Sequence, residues 1–255
     1  MSAKMIRTET HSIRTTIDGR GSPDWVCLHG LADRLEIWDH LAPKLAERGR
    51  VICMDQRGHG GSGAPAGPYD RKDLAKDVIA VLDAFESERA LLLGHSMGGV
   101  VSMVTALEYP ERVEGLVLIG TASQCSEKAA SWYGKIANSG EQDGIDGLRR
   151  TIYGAKSRKE IVADAQGIAA VTRTLASLHT EPLTPLLSAI DCPVLLIVGK
   201  DDPMGPKASS IIAEVLPQAD LVEVEGCGHW VQKEAPARVL DAVDRWRSGS
   251  SPGPR

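Results

Sequence analysis

The sequence predicts an α/β fold with a mostly parallel, doubly wound sheet of about eight strands and a small helical insertion. Two observations indicate this. Apolar runs of strand length alternate with segments of helical periodicity through most of the 255 residues. The runs are apolar at consecutive positions, as strands are when helices cover both faces of a parallel sheet. One stretch, residues 123–182, contains no convincing strand and interrupts the alternation.

The first predicted elements are an N-terminal strand pair and the first two strands of the parallel sheet. MIRTETH and SIRTTID are predicted as a small hairpin or a pair of edge strands, and the turn GRGSP follows them. DWVCLHG and RVICMD are predicted as buried strands. The segment between them, DRLEIWDHLAPKLAERG, is predicted as one helix that ends at Gly49. The glycine-rich loop QRGHGGSGAPAGP follows.

The remaining predicted elements continue the alternation of helices and strands. Asp70 is placed to cap the helix YDRKDLAKDVIAVLDAFE, whose apolar positions share one face. ALLLG is a predicted strand, and MGGVVSMVTALEYP is a helix that ends before Pro110. VEGLVLIG, PVLLIVG and ADLVEVEG are further strands. KASSIIAEVL and residues 236–246 are the last helices.

The alternation divides the chain into a core and an insertion. Residues 1–122 and 183–247 are predicted to form the core domain. Residues 123–182 have helical patterns with several Gly and Ser breaks, and we expect them to form a helical cap over the edge where the strands end. Residues 248–255, SGSSPGPR, have the composition of a disordered tail.

Composition limits the possible classes of function. The net charge is −5 and no long basic run occurs, which argues against a nucleic-acid partner. The first twenty residues contain neither the apolar core of a signal peptide nor a membrane span. The five cysteines are scattered without a CxxC pair, which favours reduced thiols and no metal site. A cytoplasmic protein with a small-molecule partner is therefore expected.

The segment LLLGHSMGGVVS places Ser96 between a predicted strand and a predicted helix. GHSMG fits the pattern G-x-S-x-G, in which a serine occupies a strained, sharp turn between a strand and a helix. Gly94 and Gly98 have a steric reason to be small in such a turn. A plain glycine turn would also explain this motif on its own, so the prediction of a nucleophile depends on partner residues.

A serine hydroxyl needs a general base, and the base needs a carboxylate that orients it. PVLLIVGKDDPMGP supplies Asp201 and Asp202 after one later strand, and LVEVEGCGHW supplies His229 after the next. The chain order Ser, Asp, His is the order expected for this turn. Of the seven histidines, His229 alone follows a strand in this order. We expect His95 to pack or form a hydrogen bond beneath the serine turn.

The segment GHGGSG at 58–63 fits the dinucleotide-binding pattern G-x-G-x-x-G. That site requires a helix that begins inside the motif, because the helix N-terminus holds the pyrophosphate. Here APAGPYD follows, and its small and proline residues cannot begin such a helix. No well-placed acidic residue follows about twenty residues later. The sequence therefore predicts no dinucleotide cofactor.

These motifs resemble those of the α/β-hydrolase superfamily, and in particular its compact, capped serine hydrolases. The resemblance runs from about residue 24 to residue 246, with only the helical insertion unmatched. Members commonly carry G-x-x-D at the acid site, and Gly199 in this pattern places the acid at Asp202 rather than Asp201. They also carry G-H followed by an aromatic or apolar residue at the base site, which the sequence GHW around His229 matches.

Acyl transfer creates a negatively charged oxygen that needs hydrogen-bond donors fixed in advance. The backbone amide of Met97, directly after the serine, is one expected donor. The superfamily's H-G-x signature implies the backbone amide of Leu31, in WVCLHGLAD, as the second. Its D-x-R-G-x-G-x-S turn implies structural roles for a further set of residues. They are Asp55, Arg57, Gly58, Gly60 and Ser62.

The resemblance implies a hydrolase of small carboxylic esters or lactones, including enol-lactones, that forms an acyl-enzyme on Ser96 without a cofactor or metal. A serine at this position argues against the members that open epoxides or displace halide, which use a carboxylate there. Carbon–carbon hydrolases of ring-cleavage diketones are the alternative, together with non-turnover ligand receptors and lyases on the same fold. Trp230, Trp132 and Tyr133 are the candidate substrate-lining residues.

Overall fold

A single sheet of eight strands forms the centre of the computed structural model, which describes residues 2–216 and 218–249. The strands lie in the order β1-β2-β4-β3-β5-β6-β7-β8. The first two pairings, β1 with β2 and β2 with β4, are antiparallel, and the others are parallel. The predicted fold class is therefore confirmed. The strands are β1 Ser2–Arg7, β2 Ser12–Asp18, β3 Asp24–Leu28, β4 Arg50–Met54, β5 Ala90–His95, β6 Val113–Ile119, β7 Val194–Gly199 and β8 Asp220–Val224.

Helices cover both faces of the sheet, which explains why the central strands are apolar at consecutive positions. Every residue of β5 and β7 is buried. On one face the sheet packs against Leu74, Met103 and Ile212 of three helices, and on the other against Leu45 and Val239 of two more. The helices are α1 Ala42–Leu45, α2 Arg71–Ala84, α3 Met97–Glu108, α4 Glu127–Tyr153, α5 Ala165–Ala176, α6 Gly205–Val215, α7 Val231–Glu234 and α8 Pro236–Arg247.

The predicted N-cap of α2 is confirmed, whereas the single helix predicted after β3 is wrong. Asp70 accepts a hydrogen bond from the amide of Lys72 at 2.9 Å. The earlier segment consists of a 3-10 turn at Leu35–Trp38, the four-residue α1 and another 3-10 turn at Ala46–Arg48. Pro43 lies in the first turn of α1, where its missing N–H is harmless. Within one continuous helix the same proline would remove a hydrogen bond and clash with the preceding turn.

Residues 123–182 contain α4 and α5, which pack against each other. Gly144 interrupts α4 with φ 64° and ψ −149°, a conformation in which a side chain would be strained. An isolated bridge pairs Ala163 with His59 of the glycine-rich loop. The sequence did not predict this pairing, because a bridge of one residue pair leaves no periodic pattern.

The described residues contain no helix that combines the length and apolarity needed to cross a membrane. From residue 250 onward, the predicted tail lies outside the described residues.

Candidate active site

Ser96 follows β5 and immediately precedes α3, with φ 52° and ψ −114°. A positive φ costs a residue with a side chain on the order of 1–3 kcal/mol, so surrounding contacts must hold it. The amide of Ser96 donates to the carbonyl of Ile119 at 2.9 Å, and the hydroxyl of Thr121 donates to the carbonyl of Ser96 at 2.7 Å. Both partners come from the end of β6 and the loop after it, which fix the serine turn from the neighbouring strand.

The two glycines of G-x-S-x-G allow α3 to begin very close to the sheet. A Cβ on Gly98 would lie 2.1 Å from the carbonyl oxygen of Leu28 on β3. A Cβ on Gly94 would lie 2.4 Å from the carbonyl oxygen of Gly98 itself. Both distances are far below any van der Waals contact, so a larger residue at either position would displace the first turn of α3, and Ser96 with it.

Asp202 and His229 meet across the loops that follow β7 and β8. His229 Nδ1 donates to Asp202 Oδ2 at 2.7 Å. Because the acceptor is a carboxylate oxygen, Nδ1 carries the proton, and Nε2 of a neutral imidazole is left to accept. Asp201 is exposed, and its backbone amide donates to the carbonyl of Cys227 at 2.9 Å. The structure therefore brings Asp202, and not Asp201, to the histidine.

Opposing effects act on the Asp202 carboxyl, which is only 3% exposed. Burial acts to raise its pKa, but the hydrogen bond from His229 and the charge of that imidazole outweigh burial. The amide of Met204 contributes a further hydrogen bond at 3.0 Å. The net result is a pKa below the ordinary value, so Asp202 is a carboxylate at neutral pH.

His229 lies beside the serine turn without a hydrogen bond to the serine. In the part of the chain that is described, Ser96 Oγ and His229 Nε2 are not joined. The Asp202–His229 pair borders Gly120, where a Cβ would lie 3.3 Å from Asp202 Oδ2 and 3.4 Å from His229 Nδ1. Gly120 and Ser96 line one cavity. A hydrogen bond between a serine hydroxyl and a histidine base is often long or absent before substrate binds.

His95 connects the serine turn to the loop that carries His229. Its Nε2 donates to the backbone carbonyl of His229 at 3.0 Å, and the two rings lie 4.8 Å apart. Burial, and then the charge of His229, lowers the pKa of His95 to about 3, so its ring is neutral. The expected hydrogen bond beneath the turn is confirmed. Its partner was not predictable, because the two residues are 134 positions apart.

The backbone amides of Leu31 and Met97 have no acceptor among the described residues. Met97 begins α3, and the first amides of a helix have no partner within it. Leu31 follows Gly30, whose carbonyl accepts from His29 Nδ1 at 2.8 Å. His29 Nε2 in turn accepts the amide of Gln56 at 3.0 Å. Because the Gly30 carbonyl and the Leu31 N–H belong to one planar peptide, these bonds also fix the direction of the Leu31 amide.

A cavity of about 420 Å³ includes Ser96 and Met97 in its lining. Side chains of the core and of residues 123–182 form an apolar wall. They are Val100, Tyr133, Leu175, Leu178, Met204 and Ile211. Among the three candidate substrate-lining residues, Tyr133 belongs to this wall. Trp132 packs on Tyr133 with ring centroids 5.4 Å apart and is 38% exposed.

Trp230 is in edge contact with the His229 ring at a centroid distance of 5.3 Å. Its indole N–H donates to Asp33 at 3.0 Å. Neither Trp230 nor Trp132 lines the cavity that contains Ser96, as far as the described residues define it. Contact of these two tryptophans with a substrate stays a prediction.

The D-x-R-G-x-G-x-S turn forms a buried hydrogen-bond network outside that cavity. Asp55 accepts the amides of Leu35 at 2.7 Å and Gly61 at 2.8 Å. Arg57 pairs with Asp77 at 2.7 Å, and both side chains are buried.

The described residues contain no cluster of His, Cys, Asp and Glu suited to a metal ion.

Comparison with known proteins gives matches over nearly the whole chain. The model of the alpha/beta hydrolase family matches residues 25–242. The 3-oxoadipate enol-lactonase 2 of Acinetobacter baylyi is 30% identical over 239 residues, 87% of each chain. The 2-hydroxymuconate semialdehyde hydrolase of a Pseudomonas species is 29% identical, over 93% of this chain and 89% of its own. A thermophilic esterase from Thermogutta terrifontis superposes with a TM-score of 0.86 at 25% identity, covering 99% of this chain and 100% of its own.

Proposed function

The chain belongs to the alpha/beta hydrolase family, and we propose that it is a serine hydrolase that cleaves carboxylic esters or lactones of small molecules. One observation carries the proposal. The Asp202–His229 hydrogen bond of 2.7 Å lies directly beside the strained serine turn, in the chain order Ser, Asp, His. An enol-lactonase and an esterase among the matched proteins support the same class of reaction.

In the proposed reaction, Ser96 attacks the substrate carbonyl while His229 Nε2 takes the hydroxyl proton. Asp202 stabilises the imidazolium that forms. The carbonyl oxygen becomes negative and accepts hydrogen bonds from the amides of Leu31 and Met97. Each fixed donor contributes on the order of 3 kcal/mol to stabilising such a transition state. The amides are suited to this because no protein acceptor competes for them among the described residues.

The tetrahedral intermediate then collapses, and His229 gives its proton to the leaving oxygen. An ester releases its alcohol at this point, whereas a lactone opens and keeps the new hydroxyl attached to the acyl group. Water attacks the Ser96 acyl-enzyme with His229 as general base, and the carboxylic acid leaves. The cycle needs no group from outside the chain except water.

Residues 123–182 act in this proposal as a cap, and residues 1–122 and 183–247 as the catalytic core. The support is the shared cavity, because Tyr133, Leu175 and Leu178 of that segment line it together with Ser96. A lining drawn from both parts lets the segment select the substrate while the core performs the chemistry.

Hydrolysis of short-chain p-nitrophenyl esters by the purified protein tests the proposal. We expect many turnovers, and a loss of at least about 10³-fold in kcat for Ser96→Ala. A fluorophosphonate should label Ser96, identified by peptide mass spectrometry. Absence of turnover and of labelling in folded protein would instead favour the ligand receptors on this fold. Turnover of a ring-cleavage diketone in preference to every ester and lactone would favour carbon–carbon hydrolysis.

A further inference from the structure

We propose that the cavity at Ser96 takes an acyl group with a second, ionised carboxylate, and that Lys207 is the counter-ion for that carboxylate. This inference rests on the proposed function and defines the substrate class more narrowly. It would make the natural substrate a monoester of a dicarboxylic acid or a lactone that bears one free carboxylate.

The first observation is the charge of the cavity. Lys207 is the one formally charged residue among the described residues that line it. The other polar lining groups are neutral hydroxyls and an amide, contributed by Ser96, Thr121, Ser123, Gln124, Ser126 and Tyr133. A carboxylate in this cavity would therefore meet a cation and no acidic side chain.

The second observation is that Lys207 has no ion-pair partner within residues 2–216 and 218–249. Lys200, which directly follows β7, shows the contrast. Its ammonium lies 2.5 Å from Glu225 and 3.7 Å from Glu223. Lys207 can therefore bind a ligand anion without first breaking a salt bridge inside the protein.

The third observation is the setting of Lys207 in the first turn of α6. The N-terminal end of a helix carries partial positive charge, which adds to the attraction for an anion nearby. Met204 and Ile211 of the same region contribute apolar surface to the cavity. Lys207 itself is exposed, so water screens its charge in part, and the attraction for a carboxylate is that of a surface ion pair.

One cation and an apolar wall together indicate the form of the ligand. The acyl chain would lie against Val100, Leu175 and Leu178, with its ester carbonyl at Ser96 and its free carboxylate at Lys207. A second free carboxylate would find no further cation in the described lining, so the cavity favours one free carboxylate over two.

A matched pair of substrates tests the inference. The mono-p-nitrophenyl ester of adipic acid carries a terminal carboxylate, and p-nitrophenyl hexanoate has the same chain length without it. We expect kcat/KM to be higher for the anionic ester in the wild type. Lys207→Met should lower the ratio of the two kcat/KM values about fivefold or more, mainly through KM for the anionic ester. Lys207→Arg should retain most of the ratio.

Lys44→Met is the matched control, because Lys44 is exposed on α1 and the substitution changes the net charge equally. It should leave the ratio unchanged. If the wild type cleaves both esters through Ser96 but shows no preference that depends on Lys207, the inference fails and the proposed function stands. If the wild type cleaves neither ester and Ser96 is not labelled, the proposed function fails, and the inference with it.

Discussion

At the scale of single residues, the backbone of Ser96 is held in a conformation that a side chain disfavours. A hydrogen bond donated to β6 and another accepted from Thr121 hold it there, and two glycines make room for it. Strain of this kind persists only where the surroundings determine it fully, and such sites are concentrated at functional positions. The sequence predicted the turn because G-x-S-x-G is a local pattern, although the contact that keeps Gly98 small is with Leu28 on β3. The contact of His95 with His229 had no local signal and required the fold.

Replacing each of the two neighbouring aspartates by asparagine, one at a time, tests which of them orients His229. Asp202→Asn should lower kcat about 10³- to 10⁴-fold, because the amide no longer holds the Nδ1-protonated form of His229 or stabilises its charge. Asp201→Asn makes the same chemical change on an exposed neighbour and should stay within about twofold of wild type. Steady-state hydrolysis of one ester measures both variants. Equal losses would contradict the assignment of Asp202.

His95 is expected to act as a positioning residue through the His229 carbonyl. His95→Phe keeps the ring but removes the donor, and should lower kcat about tenfold to 100-fold with KM little changed, because misplacement by a fraction of an ångström is costly. His95→Gln places an amide donor near the position of Nε2 and should recover part of that loss. Full steady-state curves distinguish the two effects. Equal defects in both variants would indicate that the ring acts through packing alone.

At the scale of elements, the helices and strands that could be predicted from the sequence are those with a periodic apolar pattern. The strands and the long helices follow from repeated apolar positions and from caps such as Asp70. The segment around Pro43 shows the limit, because an apolar pattern of helical period continued across a break caused by one proline. The bridge between His59 and Ala163 shows another limit, because contacts of irregular segments depend on tertiary structure.

Lys159 is one of the residues that attach the segment after α4 to the loops that carry Asp33 and Trp230. Lys159 Nζ lies 4.2 Å from the Tyr153 ring, 4.8 Å from the Trp230 ring and 3.7 Å from Asp33. Each cation–π contact of this kind contributes about 0.5–1 kcal/mol near the surface. Removing the ammonium should therefore favour local opening of residues 154–164, because this segment lacks helix and strand over most of its length.

Hydrogen exchange measures that opening directly. In peptides that cover residues 154–164, Lys159→Met should exchange about threefold to tenfold faster than the wild type does in the same low-salt buffer. Lys156→Met, in the same exposed segment but without these ring contacts, is the control and should change exchange little. High salt should reduce the difference between wild type and Lys159→Met, because salt screens the attraction to Asp33. Identical exchange in both variants would show that Lys159 does not hold the segment.

At the scale of the whole molecule, the sheet brings together residues that lie far apart in the chain. Parallel strands end at one edge, so Ser96, Asp202 and His229 were expected near each other from strand order alone. The geometry of their hydrogen bonds and the shape of the cavity were not predictable. They depend on loop conformations and on the packing of α4 and α5 over the core, which no repeating pattern specifies.

Buried histidines couple the stability of this molecule to pH. Burial is the largest cause that lowers the pKa of both His59 and His95 to about 3. In the unfolded chain the same imidazoles titrate near about 6.5. Between these values the unfolded chain binds more protons than the folded chain does. The free energy of unfolding is therefore highest above about pH 6.5, and it decreases as the pH falls toward 3. Each histidine contributes a slope of about 1.4 kcal/mol per pH unit in that window.

Urea unfolding at pH 7.0, 6.0 and 5.0 measures this slope. The free energy of unfolding should fall with acidification, and His59→Asn should remove one proton from the linkage while keeping a donor for the Arg57 carbonyl, which His59 Nδ1 now contacts at 3.0 Å. His179→Gln is the control, because His179 is exposed and its loss should leave the slope unchanged. The Asp202 carboxylate acts in the same direction only at lower pH, since its pKa lies below the ordinary aspartate value. A slope that is the same in wild type and His59→Asn would mean that His59 is protonated without unfolding, through opening of the loop that buries it.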